Sequence, residues 1–546
     1  MSNRRRGTHT APALENRPQI TLQEETKFAT AAAVLLITSS LIYCARRNLL
    51  LLYGDAVAHL HIARRVFDSL NPGFRQLGSV WLPLPHLLML PFVQRADWWQ
   101  SGLAGAIPSM ASYVLACSGI YYLARQWMRP LFAAVVFLAL ALNPGLLYMS
   151  VTAMTEPLFL ALMIWSAIHL AAFEAAVRKA DSVAGRVALL KLTFVLIAAV
   201  FTRYDGWILG SLAWMMAVYW TVRDGWWRER ANAHVFLACT LLLLAAPATW
   251  LAYNWRIYGD PLDFLRGPYS AAAIARRTTK PGASPYPGWH NLGVALLYYI
   301  KSAKMGAAPL YCGRWLLLMA AAGTAYSLRF FRRNVVPAAV LFWMPVPFYA
   351  YAVAYGSVPI FLPVWLPHSF YNTRYGMELL PALALFPAFA IVAAAKKRPQ
   401  WARWISAFAV LLVIASSAML MRDTPLVLRE AKANSMTRLP FEQALASRLM
   451  LLPPHSTLLM YTSAHIGALQ QIAFPLRQTI NEGDYGLWSG ALADPAASAD
   501  FIVALDGDPV SKAVRQHPKN LQLLFLICST GQPCARIYRS TEHALR

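Results

Sequence analysis

Apolar residues in this chain run in stretches of about 18 to 22, the length that crosses a bilayer as a helix. Such windows fall at residues 28–48, 103–124, 131–149, 154–174, 188–202, 206–222, 234–254, 309–328, 335–355, 375–395 and 402–421. They predict an α-helical polytopic membrane protein with about eleven spans. One further apolar stretch, VWLPLPHLLMLPFV (80–93), is short and interrupted by Pro83, Pro85 and Pro91, which predicts a helix lying at the outer interface. Beyond residue 421 the pattern changes. HSTLLMYTSAHIGALQQ, LRQTINEG, ADFIVALDGDP and LQLLFLICSTGQPCARIYRS read as short strands separated by helices and turns, a small α/β domain outside the membrane. The expected organisation is a basic tail (1–27), a membrane module (28–421) with outer loops at 49–102 and 255–308, and an extracytoplasmic α/β domain (422–546).

Composition supports this picture. Of 546 residues, 58% are hydrophobic and 14% charged, against about 45–50% and 25% in soluble domains, which argues against a soluble globular enzyme. A net charge of +24 would suit a nucleic-acid partner only if it lay on one face. Instead the cations fall in short loops: Arg4, Arg5, Arg6, Arg17 and Lys27; Arg125 and Arg129; Arg178, Lys179, Arg186 and Lys191; Arg223, Arg228 and Arg230; Arg329, Arg332 and Arg333; Lys396, Lys397, Arg398 and Arg403. The positive-inside rule makes these loops and the N-terminus cytoplasmic. The first span lies far from the start and lacks a small-residue cleavage site, so it reads as an anchor and not a signal peptide. Cys528 and Cys534 flank a turn-like STGQP; outside the cytoplasm they can pair or stay free. No internal repeat and no metal or nucleotide motif appears.

Chemistry must then sit on the outer side. The first outer loop opens with YGDAVAHLHIARRVFDSL, where a helix would place Asp55 near the membrane surface with His59, Arg64 and Arg65 behind it. That pattern fits an interfacial helix with an aspartate cap, and it also fits a base placed where a lipid headgroup arrives. Glu156 stands before Pro157 at the outer mouth of another span, as a helix cap or as part of a site. Arg203 in FTRYDGW, Arg256 in YNWRIYGDP and Arg374 in YNTRYGMELLP sit at outer span ends, where positive-inside bias makes arginine scarce. Each can hold lipid phosphate or clamp the phosphate of a substrate. In the loop 255–308, Tyr269, Tyr286 and Trp289 suit interface anchoring or stacking on a sugar, and the loop reads as a lid. The tail offers Glu482, Asp484 and Trp488. His290 and His368 read as structural.

GDAVAHLHIARR, WLPLPHLL, MTEPLFLAL, TRYDGW and RYGMELLP, in that order, resemble the membrane glycosyltransferases of the GT-C class, specifically the bacterial relatives of protein O-mannosyltransferases and aminoarabinose transferases. The resemblance covers most of residues 28–400. It implies a GT-C-like fold and a polyprenyl-phosphate sugar as donor, with Asp55 as catalytic base and Glu156 shaping the site. Arg374 and Tyr375 would meet the donor phosphate, assisted by Arg203 or Arg256, with His59 and Arg64 in support. Two departures stand out: Ala56 follows Asp55 where many relatives carry a second acid, and His86 is displaced from the HPP that often opens the interfacial helix. No matched His/Glu set appears, so no cofactor is implied and the need for a divalent metal stays open. The expected partners are the donor, an acceptor on a lipid, glycan or protein, and membrane lipids, at the inner membrane with the C-terminal domain outside. A transporter or flippase of lipid-linked sugars is the alternative, although its ionisable groups would be expected near mid-span. A non-catalytic scaffold is the third.

Overall fold

A computed structural model describes residues 21–278, 282, 284–309, 311–484 and 486–542. Most of the basic tail, including Arg4, Arg5, Arg6 and Arg17, lies outside the described residues. Among the described residues, eight helical segments are long and apolar enough to cross a membrane: Leu22–Arg46, Leu103–Arg125, Glu156–Arg178, Ser182–Val200, Arg230–Tyr258, Asn334–Tyr355, Thr373–Lys397 and Pro399–Ser435. The chain is a multi-pass membrane protein. Of the other three windows, 206–222 and 309–328 are the 19-residue helices Asp205–Arg223 and Cys312–Phe330, whose composition places them outside that set of eight. The window 131–149 is broken into Pro130–Ala141 and Pro144–Met149. Pro144 has no N–H for the helix ladder, and the Asn143 side chain caps the second piece by accepting from Leu146 N. The apolar stretch at 80–93 forms the helix Leu84–Val93, ten residues and too short to cross.

Segments Glu156–Arg178 and Thr373–Lys397 are the most enclosed of the eight, whereas Leu22–Arg46, Arg230–Tyr258 and Pro399–Ser435 are the most peripheral. Glu156 and Arg374 therefore stand at the N-terminal ends of the bundle's innermost helical segments. The loop expected over 255–308 is shorter than its sequence suggested, because LGVALLYYIKSAKMGA forms the helix Leu292–Ala307, capped by Asn291.

The C-terminal module holds a five-stranded mixed sheet: β1 (Leu458–Met460), β2 (Thr479–Ile480), β3 (Phe501–Leu505), β4 (Leu521–Ile527) and β5 (Ala535–Ser540), in the order β2-β1-β3-β5-β4. The β1 strand lies parallel to β2 and β3, with Leu458 opposite Phe501, and β5 runs antiparallel to β3 and β4. Cys528 and Cys534 form a disulfide across the β4–β5 turn. The module is fastened to the first outer loop by polar contacts. Arg477 N donates to Asp68 (3.1 Å), Gln76 Nε2 to Gly483 O (3.3 Å) and Gln470 Nε2 to Trp99 O (2.6 Å).

Where helices Cys312–Phe330 and Leu380–Lys397 cross, Gly323 faces the Phe386 carbonyl so closely that a Cβ would overlap it. Small residues allow this approach in membrane bundles. Gly323→Ala should cost about 1–3 kcal/mol by overpacking and lower the unfolding midpoint in detergent. Gly306→Ala, beside open space, should leave the midpoint nearly unchanged.

Candidate active site

The site is built on two arginines. Arg374 belongs to the 3₁₀ segment Thr373–Leu379, which enters the innermost helix, and its neighbour Asn372 has a left-handed backbone (φ 54°). Its Nη2 lies 2.6 Å from Asp55 Oδ2, its Nε 3.1 Å from Glu156 Oε1 and its Nη1 3.8 Å from Glu430 Oε1. Arg203, between helices Ser182–Val200 and Asp205–Arg223, takes the other side of the same Glu156 oxygen at 3.2 Å. It also pairs with Asp205 (3.2 Å) and Glu378 (3.0 Å), and donates to Thr155 Oγ1 and Tyr349 Oη, each at 2.8 Å. Tyr349 Oη in turn lies 2.9 Å from Asp205 Oδ2 and 2.7 Å from Glu378 Oε1. Two guanidiniums thus meet five carboxylates, so each arginine is held by several partners at once.

Aromatic rings cover these cations. Tyr375 stacks on Tyr349 with centroids 5.0 Å apart, and its ring lies 5.0 Å from Arg374 and 5.4 Å from Arg203. Glu430 is buried on the far side, where Thr373 donates to it through both N (2.9 Å) and Oγ1 (2.5 Å). Among the five acids Asp55 differs: its side chain is 40% exposed while those of Glu156, Asp205, Glu378 and Glu430 are 1% or less. It projects into a cavity of about 2,140 Å³ between the membrane bundle, the outer loops and the C-terminal module. Arg374, Tyr375 and Glu430 share that lining, as do Trp81, Tyr286 and Trp289.

Of the residues singled out in the sequence, Asp55, Glu156, Arg203, Arg374 and Tyr375 come together. Arg203 stands behind the cavity wall and holds the carboxylates in place. Arg256 does not join them: it is exposed near the end of the helix Arg230–Tyr258 and does not line the cavity. Arg64 faces away. It pairs with Asp68 and donates to the carbonyls of Val93 (2.6 Å) and Gln94 (2.8 Å), bracing two helix ends. His59 is buried against Trp81 and shares a 2.8 Å hydrogen bond with His86. Burial, and then the nearby Arg374 and Arg203, push His59 down to about 3, so the pair is neutral. His290 and His368 do not line the cavity. Among the described residues, no group of three or more His, Cys, Asp or Glu is arranged to hold a metal ion. Asp205, Glu378, Tyr349 and Glu430 were not singled out, although Asp205 and Glu378 lie inside the quoted TRYDGW and RYGMELLP.

This arrangement of helices has solved counterparts. ArnT from Cupriavidus metallidurans bound to undecaprenyl phosphate superposes with a TM-score of 0.54 at 14% identity, covering 94% of this chain and 97% of that one. The same protein in its apo state gives 0.50 at 15%, covering 93% and 98%. The fold is that of a GT-C-type membrane protein. It agrees with the fold class expected from the ordered motifs, and the match spans the C-terminal module as well as the bundle. No family model and no curated protein matches the sequence.

Arg203→Ala would take the paired cation from two buried carboxylates, Asp205 and Glu378, and should destabilise the protein by about 3–5 kcal/mol, read as a lower unfolding midpoint, whereas Arg256→Ala should be near neutral. A histidine held at about 3 in the fold and near 6.5 in the unfolded chain binds its proton more tightly when unfolded. Its contribution is therefore complete above about pH 6.5 and lost as pH falls toward 3. His59→Gln should make the unfolding midpoint less sensitive to pH over that window.

Proposed function

We propose that this protein is an inverting glycosyltransferase that moves a sugar from a polyprenyl-phosphate donor to an acceptor at the outer face of the inner membrane. The observation that carries the reading is the Asp55–Arg374 pair: a half-exposed carboxylate and a phosphate-matched guanidinium 2.6 Å apart in one large cavity. The lipid phosphate bound by ArnT, a protein of the same fold, supports a polyprenyl-phosphate donor. The short Lys/Arg-rich loops, cytoplasmic by the positive-inside rule, support an outward-facing site, where nucleotide sugars have no pool.

In this reading the donor phosphate takes up Arg374 Nη2, displacing Asp55, whose carboxylate is then free to accept a proton. An acceptor hydroxyl or amine attacks the anomeric carbon on the face opposite the phosphate. The new bond from that oxygen or nitrogen to carbon forms as the carbon–phosphate-oxygen bond breaks. The proton passes to Asp55, and the lipid phosphate leaves with both electrons of the broken bond, its charge met by Arg374. One displacement inverts the anomeric centre. Glu156 and Arg203 hold Arg374 in register, a positioning role, and Tyr375 covers the cation from one side. Every step uses side chains of this chain.

General-base assistance is worth about 10²- to 10⁴-fold, and a guanidinium aimed at developing phosphate charge adds electrostatic stabilisation. Asp55→Asn keeps an acceptor for Arg374 but removes the base. The purified protein in liposomes should transfer labelled sugar from a defined polyprenyl-phosphate donor. The Asn variant should lose at least about a hundredfold in turnover at equal folded amounts. Equal transfer by both would remove Asp55 from this role. Movement of lipid-linked sugar between leaflets without transfer would replace the reading with transport.

A further inference from the structure

Asp55 stands in the first turn of the helix Gly54–Arg65, so its place depends on the backbone that leads into that helix. The lead-in, residues 49–53, is irregular and follows the first membrane helix. Three side chains fasten it. Tyr148 Oη donates to Leu49 O at 3.2 Å, and Tyr53 Oη donates to Val427 O at 2.9 Å. Arg438 Nη2 donates to Leu51 O at 2.9 Å and to Leu52 O at 3.1 Å. No other donor among the described residues reaches those two carbonyls, and a carbonyl left unpaired away from water costs about as much as a lost hydrogen bond.

Arg438 opens the helix Arg438–Leu449, beyond the last apolar window. Its Nη1 donates to Glu442 Oε2 at 2.7 Å, one turn along, and the pair is enclosed, with the glutamate side chain 1% exposed. The C-terminal module boxes Glu442 in. His465 Nδ1 lies 3.7 Å from its Oε1, and Gly467 is so close that a Cβ would overlap the carboxylate. A planar guanidinium that commits one nitrogen to a fixed carboxylate has the other aimed in a set direction, here at the two carbonyls. The preceding helix, Leu426–Ser435, carries Val427 and also Glu430, which holds the Thr373 backbone and faces Arg374. The lead-in to Asp55 and the segment bearing Arg374 are thus referenced to the same pair of helices.

We propose that Arg438 is a positioning residue for Asp55: it pins the Leu51 and Leu52 carbonyls and so holds the carboxylate in place when the donor phosphate takes Arg374 from it. The inference rests on the transferase reading. Among the described residues the only ion pair of Asp55 is with Arg374, and the proposed reaction breaks that pair before the proton moves. From then on the carboxylate keeps its place through its backbone. Arg438 supplies two of the hydrogen bonds on that backbone, and Glu442 keeps the guanidinium from following an arriving phosphate into the cavity that Arg438 also lines. A base displaced by about 1 Å can lose a hundredfold in rate, so a clamp one step removed from the chemistry acts on turnover.

Full-length protein in liposomes tests the mechanical and the chemical halves separately. Hydrogen exchange needs no donor. Arg438→Met should speed exchange at Val57, Ala58 and His59, the first bonded amides after the lead-in, by about tenfold, the scale of a lost hydrogen bond, and leave the helix Ser182–Val200 as in wild type. In transfer from a defined polyprenyl-phosphate donor, at equal folded amounts, the same variant should lose about tenfold or more in kcat with a donor KM within about twofold. Arg438→Lys, which keeps a cation for Glu442, should recover part of that loss. Placed on Asp55→Asn, Arg438→Met should cost less than about twofold more, because groups that act as a unit are not additive. Unchanged exchange at the three amides overturns the proposal, as does full turnover by Arg438→Met while Asp55→Asn is impaired, or an equal loss in both backgrounds. A raised donor KM at unchanged kcat overturns it too and makes Arg438 a phosphate ligand. If Arg438→Met fails to fold, wild-type exchange and turnover in Arg438→Lys overturn it. Equal transfer by wild type and Asp55→Asn removes the base, and this role with it, an outcome read without any Arg438 variant.

Discussion

A guanidinium ion at the end of an apolar bundle persists only if carboxylates and hydroxyls replace the water it gives up, and the architecture here follows from meeting that demand twice. Glu156 Oε1 is shared by Arg203 and Arg374. Through that oxygen the helix starting at Glu156, the turn at Arg203 and the segment entering Thr373–Lys397 are tied into one unit. Glu378, Asp205, Tyr349 and Glu430 surround the pair. Asp55, the exposed acid, is the outermost layer of a charge network whose deeper members fix Arg374.

Much of this was legible in the chain because a bilayer constrains sequence strongly. Apolar length located most of the spans, and arginines where the positive-inside rule makes them scarce pointed to Arg203 and Arg374. Arg256 satisfied the same rule and yet is exposed, because scarcity says that a cation is unusual and says nothing about which way the helix end faces. At 100° per residue Arg64 points opposite to Asp55, while Arg65 returns toward its side. Asp205 and Glu378 were visible inside quoted motifs, but their roles depend on Tyr349 from a distant helix. Glu430 carried no local signal, since it follows the last apolar window, 402–421, in a stretch with no motif.

The break at Asn143–Pro144 and the helix Leu292–Ala307 show the limit from another side. A hydropathy window sums over a proline and so reads two helices as one span, and a loop's boundary is set by where an Asn cap is placed. The C-terminal module was predicted as a fold but not as a wall. Its hydrogen bonds to Asp68, Gln76 and Trp99 make it part of the cavity, and neither partner sequence announces the other.

Those attachments bear on the order in which the molecule can be completed. Asp55 emerges early in synthesis, but its partner Arg374 is 319 residues later, and Gln76 waits 407 residues for Gly483. Until Arg374 is made the first loop carries an unmatched carboxylate, and until the C-terminal module follows it keeps an open polar face. Assembly is therefore decided at the C-terminus, and a ribosome that stops short leaves a bundle that is inserted but without its far wall.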